Sequence, residues 1–140
     1  MDERRAALER LCLEMGVSIL YAFGSRAREI YEWLEQRRPD LSPGPSDIDI
    51  GARAAARTWS AMDKVHLALA LEDLFGRSRV DLVVLNEADP FLAVEVIRGE
   101  RLFARDEYEA DEYDLYVLRR AGDLAPLERE RLDLIFAESP

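Results

Sequence analysis

The sequence predicts a single α/β domain, built as a small mixed β-sheet with helices packed against it. Short apolar runs rich in β-branched and aromatic residues, typical of buried strands, alternate with longer stretches whose apolar residues recur at helical spacing. The length of 140 residues fits one domain, and a hydrophobic content of 49% is enough for an ordinary core. We therefore expect one domain over residues 1–140, with a body at about 15–105 and C-terminal helices at 106–138.

The first half of the chain is expected to hold three helices and two strands. Leu8, Cys12 and Met15 lie at helical spacing, and a glycine follows them where the first helix should end. The second helix must stop before Pro39, because proline disfavours helical geometry in the residue that precedes it. In order, the predicted elements are a helix at 2–15, a strand from Val17 to Phe23, a helix at 26–38, a loop at 41–46, a strand from Asp47 to Ala52 and a helix at 58–75.

The second half is expected to add two strands and three helices. Asp89-Pro90 is a strong helix start, because aspartate is a good N-cap and proline is favoured at the first helical position. Gly122 and Pro126 are expected to separate two final helices. In order, the predicted elements are a strand from Val80 to Leu85, a helix from Asp89 to just before Gly99, a short edge strand at 101–104, and helices at 107–120 and 126–137.

The charge balance and the rare residue types exclude several classes of function. Lysine and arginine number 19 against 29 aspartates and glutamates, and the net charge of -10 argues against nucleic acid as the main partner but allows a basic protein. Cys12 and His66 are the only residues of their types, which excludes disulfides within the chain, zinc clusters and histidine-based triads; Cys12 is expected to be a buried structural thiol. No apolar run approaches the roughly 18 residues that span a bilayer, and the N-terminus does not resemble a signal peptide, so we expect a cytoplasmic protein without membrane contact.

The stretch after the first strand is suited to binding a phosphate. Gly24 permits a tight turn, and Ser25 is expected to cap the helix that follows. A helix N-terminus presents unpaired backbone N–H groups and the positive end of the helix dipole. Arg26 and Arg28 oppose that dipole, which favours a bound anion. Arg28 is the preferred phosphate contact, whereas Arg26 is expected to be solvated or to face a partner.

Three aspartates are candidates for binding metal. Asp47 and Asp49 lie two apart on a predicted strand, so both carboxylates project from one face and repel each other unless a cation or protons neutralise them. Asp81 opens the next strand and, taken alone, could equally be a turn residue at the strand start. A phosphate-binding turn that faces two carboxylates is the apparatus of phosphoryl or nucleotidyl transfer.

Gly24-Ser25, Asp47-x-Asp49 and Asp81, in this order on a strand–helix–strand–strand background, resemble the polymerase-beta-type nucleotidyltransferase superfamily. The Gly-Ser-Arg-Ala-Arg sequence and the small size are similar to its minimal nucleotidyltransferase (MNT) branch, whose members are commonly antitoxins paired with a HEPN-domain toxin. The resemblance covers about residues 15–105 and implies the polymerase-beta-type nucleotidyltransferase fold. Two features depart from the branch: Glu29 stands where glycine is usual, and the spacer between Ser25 and Asp47 is long.

The resemblance implies a magnesium-dependent transfer of AMP from ATP with release of pyrophosphate. The site residues that it implies are Asp47, Asp49 and Asp81 for catalysis and for binding two Mg²⁺ ions, and Gly24, Ser25 and Arg28 for binding the phosphates. The implied acceptor is a tyrosine hydroxyl of a cognate HEPN ribonuclease toxin, which the transfer would neutralise within a hetero-oligomer, without direct contact to nucleic acid.

Two alternatives stay open on the sequence alone. The first is a non-catalytic antitoxin that blocks the toxin by binding, and the second is a small-molecule nucleotidyltransferase of the aminoglycoside type. The acidic segment 106–114 is open to two interpretations as well, because a charge run is either a solvated helix face or a docking strip for a basic protein.

Overall fold

The computed structural model describes residues 3–41, 47–56, 58–76 and 78–137, and these form an α/β domain. Part of the predicted loop, at 42–46, lies outside the described residues. No helix within the described ranges is long and apolar enough to cross a membrane. The helices and strands are α1 (Glu3–Met15), β1 (Val17–Phe23), α2 (Ala27–Leu34), β2 (Ile48–Ala54), α3 (Ala61–Leu74), β3 (Val80–Val84), α4 (Pro90–Ile97), β4 (Glu100–Ala104) and α5 (Glu107–Ala137).

The strands form one mixed sheet in the order β3-β2-β1-β4. β1 is antiparallel to both β2 and β4, whereas β2 and β3 are parallel. A parallel pair needs a crossover connection, and α3 provides it between these two strands. The expected mixed sheet is therefore confirmed, and β4 is an edge strand as predicted.

Helices cover both faces of the sheet, which explains the continuous apolar run of β1. The helices α1, α2 and α3 contribute to one core with residues such as Leu8, Ile30 and Leu71. The helices α4 and α5 contribute to a second core, which holds Ile19 and Tyr21 of β1. A strand that is buried on both faces needs apolar residues at successive positions rather than at alternate ones.

The thiol of Cys12 is fully buried in the first core. Burial raises its pKa to about 12, because the thiolate would lose its hydration there, and the nearby charge of Glu9 acts in the same direction. The expectation of a structural thiol is confirmed, since a nucleophilic cysteine needs an accessible thiolate.

The helix α2 is shorter than predicted, because it ends at Leu34 instead of continuing to residue 38. Gln36 has a φ of 59°, in the left-handed region that terminates a helix. The Arg4 guanidinium then donates hydrogen bonds to the carbonyl oxygens of Trp33 at 2.7 Å and Arg38 at 2.9 Å. A side chain from α1 thus ties the end of α2 to the segment that follows it.

The C-terminal region forms one helix of 31 residues, so the prediction of two helices is wrong. Pro126 lies inside α5, where it cannot donate a hydrogen bond to the carbonyl of Gly122. Both residues are exposed, so water can solvate that carbonyl and the helix continues at a lower cost than in a buried setting. The first part of α5 packs on the body through Ala110 and Val117, whereas every described residue after Glu128 is exposed.

Candidate active site

The turn that follows β1 is in close contact with a carboxylate. A short 3-10 turn over Gly24–Arg26 joins β1 to α2, and Gly24 has a φ of 75°. A Cβ atom on Gly24 would overlap Oδ2 of Asp49 and would lie 3.3 Å from its Cγ. Glycine is therefore required here twice, by the left-handed backbone and by the carboxylate beside it.

Strand pairing brings two of the three predicted aspartates together. Asp49 of β2 is the register partner of Asp81 of β3, and on its other side it is opposite Phe23 at the end of β1. The alternation predicted for β2 is also present, because Ile48 and Ile50 are buried in the core while Asp49 is only partly buried. Asp49 thus lies beside the turn at Gly24, and Asp81 lies next to Asp49 on the neighbouring strand.

Asp47 lies just before β2 and two residues from Asp49, so it completes a set of three negative charges. Partial burial raises the pKa of Asp49, and the charges of Asp81 and Asp47 raise it further. The ionised form of Asp49 is therefore less favourable than that of a free carboxyl group, and a nearby positive charge would favour it. A bound cation would supply that charge.

The carboxylate oxygens of the three aspartates are donors that suit a magnesium ion. Magnesium prefers oxygen ligands and keeps several waters, so it needs only a few carboxylates from the protein. Within the described ranges, however, no three histidine, cysteine, aspartate or glutamate side chains are gathered closely enough to hold a metal as they stand. The side chain of Asp47 is 44% exposed and its 4.0 Å ion pair with Arg79 is at the surface, so it can move toward Asp49 without disturbing the core.

Arg26 is buried and paired, so the expectation that it is solvated or faces a partner is wrong. Its Nε donates to Oε1 of Glu29 at 3.1 Å and its Nη2 donates to Oε2 at 3.2 Å. The two side chains are 8% and 15% exposed. This bidentate pair spans the start of α2 and holds the turn that contains Gly24. The signal that sequence reasoning missed is the spacing of opposite charges at i and i+3.

Ser25 and Arg28 lie at the surface of the same turn. Neither the 3-10 turn nor α2 has a side-chain cap, so the predicted N-cap role of Ser25 is wrong and its exposed hydroxyl does not serve the helix. Arg28 forms ion pairs with Glu32 at 3.3 Å and Glu100 at 3.4 Å, and not with the aspartates. Its side chain is 62% exposed, and exposed ion pairs are weak enough for a phosphate to replace them.

Comparison with known proteins identifies the family of this chain. The sequence model of the family described as Polymerase beta, Nucleotidyltransferase matches residues 9–108, a range that contains all six predicted site residues. No curated protein matches the sequence.

Solved structures match over most of the chain. One is a toxin–antitoxin complex with AMP-PNP, at 21% identity and a TM-score of 0.72, with 94% of this chain and 98% of that chain covered. Another is a complex of tri-AMPylated Shewanella oneidensis HEPN toxin with an MNT antitoxin, at 20% identity and a TM-score of 0.68, with 97% and 99% covered. A protein assigned as a minimal nucleotidyltransferase is 31% identical, with a TM-score of 0.51 and with 69% and 85% covered. The chain belongs to the polymerase-beta nucleotidyltransferase family.

Proposed function

We propose that this chain is an antitoxin that transfers AMP from ATP to a hydroxyl of a HEPN toxin and thereby neutralises it. The observation that carries the proposal is the contact between the turn at Gly24 and the carboxylate of Asp49. Asp49 is also the register partner of Asp81 on the neighbouring strand. A phosphate-binding turn and two carboxylates in one site are the parts that nucleotidyl transfer needs. The similarity to chains from a complex with AMP-PNP and from a complex with an AMPylated HEPN toxin supports the nucleotide and the acceptor.

Each residue has a proposed role in this reaction. Asp47, Asp49 and Asp81 would hold two Mg²⁺ ions, which supply positive charge for the triphosphate and lower the pKa of bound oxygens. The backbone at Gly24 and the exposed hydroxyl of Ser25 would donate hydrogen bonds to phosphate oxygens. Arg28 would exchange its surface carboxylate partners for a phosphate.

In this scheme Asp81 is the carboxylate that serves the acceptor hydroxyl. It is more exposed than its register partner Asp49, so an incoming hydroxyl can approach it without displacing core residues. When the acceptor oxygen attacks the α-phosphorus of ATP, its proton passes to Asp81 and pyrophosphate leaves. The only histidine, His66, lies on α3, which contributes no residue to this site, so a carboxylate is the base that the site offers.

The direct test is a transfer assay with a HEPN toxin, sought first in the reading frames beside the gene for this chain. ATP labelled on the α-phosphate should label the toxin in the presence of Mg²⁺, whereas ATP labelled on the γ-phosphate should not. The Asp49→Asn variant should bind the toxin but leave it unlabelled. Inhibition of the toxin without any label would overturn the proposal in favour of an antitoxin that acts by binding alone. Labelling of an aminoglycoside instead would identify a small-molecule transferase.

A further inference from the structure

Four of the six carboxylates in the acidic segment 106–114 form ion pairs with arginines of the same chain. Arg101 of β4 and Arg105 form ion pairs with most of its carboxylates. The pairs are Arg101 with Glu107 at 2.8 Å, with Asp111 at 3.0 Å and with Asp114 at 2.8 Å, and Arg105 with Glu109 at 2.9 Å. These pairs weaken the attraction of the segment for a basic partner, although its net charge stays negative.

The next turns of α5 carry two adjacent arginines, followed by Asp123. Arg119 and Arg120 are exposed, and neither forms an ion pair with any of the residues that the structure describes. Nη1 of Arg120 donates a hydrogen bond to the hydroxyl of Tyr116 at 3.0 Å, and Tyr116 is itself 52% exposed. Arginine and tyrosine are the residue types most enriched where proteins bind one another.

A cavity of about 600 Å³ opens beside this pair of residues. It lies between α5, the start of α4 and the connection that follows β3. Its lining combines apolar and acidic side chains: Leu85, Ala93 and Val117, and Glu87, Glu109 and Glu112. Tyr116 and Arg120 form part of its wall and also border a second depression along α5, which Arg119 lines as well. The two depressions together make a groove that follows the helix.

An exposed apolar line continues from the groove along α5. Tyr116, Leu127 and Leu134 are separated by eleven and seven residues, so they lie on one face of the helix over about 27 Å. Leu127 is 62% exposed and Leu134 is 60% exposed. Such spacing suits a second helix that packs along the first, with one of its side chains in the cavity.

We propose that this surface of α5, composed of Tyr116, Arg119, Arg120, Leu127 and Leu134, is where the toxin docks. The identity of the partner rests on the proposed function. The chemistry of the surface states what the partner must offer: a helix with an apolar stripe and carboxylates that face the two arginines. Because Asp123 lines the same groove as Arg119 and Arg120, the partner must also offer a basic group there.

The docking surface lies at the opposite end of the sheet from the aspartates. Arg53 and Leu85 line the cavity at the carboxyl ends of β2 and β3, whereas Asp49 and Asp81 lie four residues earlier, near the amino ends. Four residues of strand span about 13 Å. Loss of docking and loss of chemistry should therefore be separable by mutation.

The test compares binding of the HEPN protein to two sets of variants, each made on the Asp49→Asn background so that no transfer occurs. The docking set is Arg119→Glu with Arg120→Glu, and Leu127→Gln. The control set changes equivalent exposed residues elsewhere, with Arg10→Glu on α1 and Leu69→Gln on α3. We expect each docking variant to weaken the dissociation constant about 30-fold or more and the controls to leave it unchanged.

Several outcomes would overturn the proposal. Docking variants that bind as tightly as the parent would do so, as would controls that weaken binding equally. Light scattering that shows this chain alone as a dimer, broken by Leu127→Gln, would assign the surface to a second copy instead. If the docking variants lose binding and yet the parent with an intact Asp49 labels no toxin, the docking proposal survives and the proposed function fails.

Discussion

Replacing Gly24 with alanine tests whether the turn after β1 must lie directly against Asp49. The substitution has two costs. The first is conformational, because a φ of 75° is unfavourable for a residue with a Cβ by about 1–2 kcal/mol. For a domain of this size the melting temperature should then fall by roughly 4–8 °C. The second is steric, because the new methyl group overlaps Oδ2 of Asp49.

The steric cost should appear in the reaction rate. To reach normal contact, the carboxylate of Asp49 must move by about 1 Å, and a displacement of that size lowers catalysis by about 100-fold. Gly16 provides a matched control, because its φ is 73° and a Cβ there would meet nothing within 4 Å. Gly16→Ala should therefore lower the melting temperature by a similar amount and leave AMP transfer close to the parent rate.

The assay is the initial rate of toxin labelling from ATP labelled on the α-phosphate, measured with each variant well below its melting temperature. We expect a large loss for Gly24→Ala and a small one for Gly16→Ala. Equal activities in the two variants, at equal losses of melting temperature, would refute the claim that closeness between Gly24 and Asp49 matters to the chemistry.

Three further substitutions test the charges of the site. Asp49→Asn should abolish transfer and raise the melting temperature without Mg²⁺ at neutral pH. Because the pKa of Asp49 is raised in the folded state, the stability of the parent falls as pH rises through that pKa. Calorimetric scans should show that the variant has lost this pH dependence. Asp81→Asn should lower the transfer rate more than the affinity for ATP, and an equal loss in both would contradict an acceptor-side role. Glu29→Gln should loosen the turn held by Arg26 and weaken the affinity for ATP about tenfold. If Glu29→Asp restored the affinity for ATP, the bidentate geometry of the pair would not be required.

The sequence could predict where the candidate site residues lie in the fold, because their positions follow from local rules. A glycine after a buried strand predicts a turn, and alternation along β2 predicts that Asp49 projects away from the core residues beside it. The contact between Gly24 and Asp49 was beyond such rules, since it depends on the antiparallel register of β1 and β2. The pairing of Asp49 with Asp81 depends in the same way on a crossover through α3.

The charges were the least predictable feature, because ion pairs between distant segments leave no periodic pattern. The acidic segment 106–114 is at the start of α5, and its main partner, Arg101, lies on β4. The hydroxyl of Tyr21 on β1 also donates to Asp114, so this carboxylate ties the helix to the sheet. What the sequence presents as a free acidic strip is therefore a set of tertiary contacts.

Glu29 shows how a departure from a family pattern can be explained by its surroundings. The MNT pattern usually has glycine at this position, and the glutamate therefore raised doubt about the nucleotide site. In the structure a buried Arg26 needs a counter-charge, because an unpaired guanidinium in that setting would be strongly destabilising. Glu29 supplies the counter-charge through two hydrogen bonds and leaves Gly24, Ser25 and the three aspartates in place. The substitution thus changes how the turn is held and not which groups the proposal assigns to the phosphates, so it is compatible with the proposed transferase.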